Sequence, residues 1–118
     1  PAHQNALRFW GRTDRQEPYN GLALDQSEGA RLTRAESPDI VFLANHGVVV
    51  AGVDIAEAFD DLYYLERAAQ HQVLAMSTGR PLQLIPPDIC ERTAAQFAQE
   101  RPPAAAAHFA ARRAMLTH

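Results

Sequence analysis

The residues best placed to do chemistry stand at Asn45-His46-Gly47, a polar triplet between the apolar runs Ile40-Val41-Phe42-Leu43-Ala44 and Val48-Val49-Val50-Ala51. An imidazole at a strand end, beside a permissive glycine, can project into a cleft while its backbone stays paired. The plain alternative is a histidine that only hydrogen-bonds loop carbonyls. Zinc normally needs about three or four ligands converging on one point. His3, His71, His108 and His118 form no His-x-His or His-x-x-x-His pair with His46.

Other reactive types read as structural. Cys90 sits at an apolar helix position beside Ile89, where a small buried thiol is the expectation. Asp60-Asp61 and Glu66-Arg67 fall on the polar flank of a long helical pattern, as a solvated face or an ion pair. Tyr63 and Tyr64 are adjacent, so they point to different sides and have no identifiable base. No Gly-x-Gly-x-x-Gly, P-loop or Gly-x-Ser-x-Gly string occurs, which leaves dinucleotide, nucleotide and serine-hydrolase chemistry without a motif.

Elements that would position these residues can be read from the periodicity. The run 40–44 is nearly all apolar and β-branched, as in a central strand covered on both faces, and 48–51 is its neighbour across a tight connection. Two strands alone are marginal, so further strands are required. Asp54, with Glu57 three residues on, forms a capping box for a helix from about Ile55 to Thr78. Its expected buried face is Ile55, Phe59, Leu62, Leu65, Ala69, Val73 and Met76, and Gly79 ends it in a left-handed conformation.

The remaining pattern is weaker. Leu7 to Arg12 suggests a short strand closed by a loop from Thr13 to Pro18, with a turn at Tyr19-Asn20-Gly21 and a helix from Asp25 to about Glu36 that Ser37-Pro38 stops. Ile89, Thr93, Ala94 and Phe97 space out another helix. Pro102-Pro103 should break it, leaving a final helix from Ala104 to Leu116 within a C-terminal tail at 102–118.

Composition limits the function classes. With 118 residues, 14 acidic and 11 basic side chains and a net charge of -3, the chain has no electrostatic footprint for nucleic acid or an anionic membrane. No stretch approaches the roughly 18 consecutive apolar residues of a spanning helix. A lone cysteine fits a reducing, cytoplasmic setting, and no signal-peptide pattern opens the chain.

The string from Val41 to Gly52, followed by Glu57-Ala58-Phe59 and Tyr63-Tyr64-Leu65-Glu66-Arg67-Ala68, resembles the class II aldolase/adducin family. Upstream, Gln4 to Phe9 and Tyr19 to Leu24 look like its adducin-like bacterial branch, and the similarity extends to about Ala98. The resemblance implies an α/β fold, an α/β/α sandwich around a central, mostly antiparallel sheet, with 1–118 supplying the C-terminal portion of one such domain. An isolated portion would leave the apolar face of the long helix partly uncovered.

The resemblance also implies a zinc or other divalent metal site in which His46 is one ligand. The other ligands, a His-x-His pair and an acidic residue, would lie in the preceding half. The implied activity is a metal-dependent lyase acting on a small hydroxylated carbonyl compound or sugar phosphate, by aldol-type cleavage through a metal-stabilised enolate. A homo-oligomer, commonly a tetramer, is the implied assembly. The alternative within the same resemblance is an adducin-like structural or protein-interaction module without catalysis.

Overall fold

The computed structural model describes residues 1–16 and 38–116. They form two compact units, one of residues 11–51 and one of residues 1–10 with 52–118. The turn at 19–21 and the helix expected from Asp25 lie outside the described residues.

In the first unit, β1 (Thr13–Gln16), β2 (Ile40–Leu43) and β3 (Gly47–Val50) form a mixed sheet in the order β1-β2-β3. β2 pairs antiparallel with β3, from Ile40 opposite Val50 to Leu43 opposite Gly47, as the two apolar runs predict. On its other side β2 pairs parallel with β1, from Thr13 opposite Ile40 to Gln16 opposite Leu43. The described part of the sheet is therefore mixed, with one antiparallel and one parallel pair. Its central strand is the expected one, with Ile40 and Val41 buried, although Phe42 is exposed. β1 falls where a loop was expected: its backbone groups complete the β2 ladder although its side chains are polar and mostly exposed. Arg12 ties the entrance of β1 to Asp39 through an ion pair at 3.0 Å.

The second unit is helical. Gln4–Phe9 is a 3-10 helix, not the strand expected at Leu7–Arg12, and it buries Leu7 and Phe9. α1 (Ile55–Ser77) begins where Asp54 accepts a hydrogen bond from the Glu57 amide at 2.9 Å, and Gly79 beyond its end has φ +68°. The capping box is half-formed, because the Glu57 carboxylate pairs with Arg101 at 3.1 Å.

α2 (Pro87–Ala114) starts with Pro87 in its first turn and carries Arg112 and Arg113 in its last. It runs unbroken through Pro102 and Pro103. Contacts on both sides hold it helical through the defect. Arg101 binds Glu57 and Asp61 before the prolines, and after them Ala105 is fully buried and His108 binds Asp60. These contacts outweigh the helix-breaking tendency of proline.

The buried face of α1 also differs from the apolar periodicity. Glu57, Asp60, Asp61, Leu65 and Ala68 are buried, whereas Ile55, Leu62, Val73 and Met76 are exposed. Of the two readings of Asp60-Asp61, the ion pair holds, with Arg8 and Arg101, and the solvated face does not, since the two are 1% and 0% exposed. α1 turns its acidic face toward the 3-10 helix and α2, where the guanidinium groups of Arg8 and Arg101 pair with it and the His108 imidazole hydrogen-bonds to it. Cys90 is buried as expected, its thiol lying 3.5 Å from the Ile85 carbonyl.

Candidate functional site

His46 lies in the turn between β2 and β3, and Asn45, His46 and Gly47 are all exposed. The turn closes when the His46 amide donates to the Leu43 carbonyl at 3.1 Å. Asn45 takes φ +57°, a conformation that asparagine tolerates better than most side chains. Gly47 takes φ +153°, which a Cβ would strain. Thus the residues flanking His46 set the backbone of the turn. Among the described residues no three His, Cys, Asp or Glu side chains converge as metal ligands, so His46 would need partners from elsewhere.

A second polar constellation, unforeseen from the sequence, is built in the helical unit. One oxygen of Asp60 pairs with Arg8, and the other lies 2.7 Å from His108 Nδ1. On the far side of the ring, Arg112 Nε donates to His108 Nε2 at 3.3 Å. Since a guanidinium can only donate, this arrangement selects the neutral His108 tautomer with its proton on Nδ1. Glu57 and Asp61 share Arg101 at 3.1 and 3.5 Å. The signal was present in the spacing: 57, 60 and 61 lie on the same helical face as Leu65 and Ala68.

Aromatic rings surround the imidazole. Tyr63 meets His108 edge-on at 4.8 Å between centroids, and Phe59 lies 5.4 Å from it. Tyr63 and Tyr64 are themselves in edge contact at 5.3 Å, while Arg8 covers Tyr64 and Arg67 and Arg112 approach Tyr63. The constellation can bind helices together and hold cations in place.

Comparison with known proteins places the chain in a family. The Class II Aldolase and Adducin N-terminal domain family matches residues 1–73, more than half of the chain, and the chain belongs to that family. Two curated relatives, each named "Putative aldolase class 2 protein", come from Caulobacter vibrioides and Pseudomonas aeruginosa. The first is 34% identical over 74 residues and the second 39% over 72, covering 62% and 60% of this chain. The chain spans only 29% and 28% of their lengths. The crystal structure of an aldolase II superfamily protein from Pseudomonas syringae matches 94% of this chain and 45% of its own, with 31% identity and a TM-score of 0.79. The fold is accordingly α/β, of the aldolase II type.

Proposed function

We propose that this chain contributes one metal ligand, His46, to a class II aldolase-like lyase whose remaining ligands lie outside the described residues. The observation that carries this reading is the exposed His46 in a turn shaped by Asn45 and Gly47, in a chain of this family. The donor type fits zinc or a similar divalent ion, for which neutral imidazole is a common ligand. A bound metal would polarise a substrate carbonyl as a Lewis acid. The substrate class we infer is a small hydroxylated carbonyl compound or sugar phosphate, cleaved by an aldol-type reaction.

The same reading makes the complete protein a homo-oligomeric, cytoplasmic enzyme with 1–118 as the C-terminal portion of its aldolase-type domain. No described helix is long and apolar enough to cross a membrane. The test is His46→Ala in the full-length protein, with zinc content measured after dialysis against a weak chelator. Loss of most of the zinc with an unchanged circular-dichroism spectrum is expected. Unchanged stoichiometry would return His46 to a structural loop role.

A further inference from the structure

Beside the buried charge network, α1 carries an open cavity of about 450 Å³ lined by Phe59, Leu62, Tyr63, Glu66, Arg67 and Gln70. Three of its six lining residues, Phe59, Leu62 and Tyr63, are aromatic or aliphatic, Arg112 stands just outside the lining, and the volume falls within the range of small-molecule sites. Two guanidiniums converge on one of its rings. The guanidinium carbon of Arg67 lies 5.2 Å from the Tyr63 centroid and that of Arg112 lies 4.9 Å from it.

Among the described residues these two arginines have no ion-pair partner, and the one carboxylate that lines the cavity is Glu66. The nearby acids Glu57, Asp60 and Asp61 are taken up by Arg8, Arg101 and His108. Glu66 accepts from Gln70 at 3.2 Å. Arg112 is also held in place, because its Nε donates to an imidazole that Asp60 engages on the other side. An arginine already fixed in place loses less freedom when it captures an anion.

We propose that this cavity binds a small organic anion with a flat apolar body, a carboxylate or phosphate headed by Arg67 and Arg112 with its ring against Phe59, Leu62 and Tyr63. Guanidiniums match both head groups by charge-assisted hydrogen bonds, and the aromatic wall accepts the body by stacking and burial. The site lies in the helical unit and does not depend on the role of His46.

Titration calorimetry on the full-length protein tests the proposal, with benzoate and phenyl phosphate as aryl anions, inorganic phosphate as the head group alone and benzyl alcohol as the body alone. At least one aryl anion should bind saturably, one per chain, and at least tenfold more tightly than inorganic phosphate or benzyl alcohol. Arg67→Gln and Arg112→Gln should each weaken that binding about tenfold. If Arg112→Gln disturbs folding, the exposed Arg67 carries the test alone. No saturable binding of either aryl anion, equal binding of inorganic phosphate, or unchanged affinity in Arg67→Gln would each overturn the proposal.

Discussion

Asp60 and His108, 48 residues apart in the chain, meet at 2.7 Å and connect α1 to the half of α2 that follows its two prolines. Asp60 also binds Arg8 of the 3-10 helix, so a single carboxylate joins three elements.

Asp60→Ala should therefore be the most destabilising single change among the charged residues. It removes the one carboxylate that binds both Arg8, whose side chain is 10% exposed, and His108. Breaking a buried pair from one side costs about 3–5 kcal/mol. Urea unfolding followed by circular dichroism checks this, and a midpoint within error of the wild type would show that the network adds no stability.

Gly52 is required for space. A Cβ there would lie 2.6 Å from the Ala58 amide nitrogen and 3.0 Å from the Asp54 carbonyl oxygen, both backbone atoms of the first turn of α1. Gly52→Ala must push the incoming chain away from the helix start, at a cost of about 1–3 kcal/mol. A drop in melting temperature is the expected readout, and a neutral effect would mean that the approach to α1 relaxes freely.

Gly47 presents a different constraint, since nothing lies within 4 Å of a Cβ built on it but its φ of +153° is unfavourable for any L side chain. Gly47→Ala should cost about 1–3 kcal/mol through the backbone alone. If His46 binds metal, the same change should also lower metal content by misdirecting the imidazole. Calorimetric melting and metal analysis of one preparation separate the two effects.

How far these features could be read in advance depends on how local their causes are. The β2–β3 hairpin, the Asp54 cap and the left-handed Gly79 follow from residues close together in the chain, and all appear where the pattern put them. The burial of Asp60 and Asp61 has a distant cause: their partners Arg8 and Arg101 lie 52 and 40 residues away. A count of apolar positions on α1 consequently misses the face that is buried among the described residues, while the apolar face it selects stays partly uncovered, as expected for a portion of the domain. β1 escaped detection because Thr13–Gln16 is polar and owes its extended form to the ladder of β2. In the candidate site, His46 was legible as the polar centre of an apolar hairpin, whereas its prospective co-ligands were not, because no other histidine stands at ligand spacing from it.

The continuity of α2 yields the last prediction. Pro102 is exposed and lacks the amide proton that would bond to the Ala98 carbonyl one turn earlier, so the helix bears a local defect that its contacts with α1 must offset. Pro102→Ala restores the donor and removes the ring clash, while the unfolded chain regains some of the freedom that proline denied it. The first effect is worth about 3 kcal/mol and the second about 1 kcal/mol in the opposite direction. A net gain of about 1–2 kcal/mol is expected, read as a higher urea midpoint with an unchanged slope. A lower midpoint would mean that the prolines set the course of α2, and that replacing Pro102 pulls Arg101 from Glu57 or His108 from Asp60. Combining Pro102→Ala with Asp60→Ala distinguishes the cases: additive changes indicate local relief in the helix, and strong coupling indicates that the prolines help to position His108.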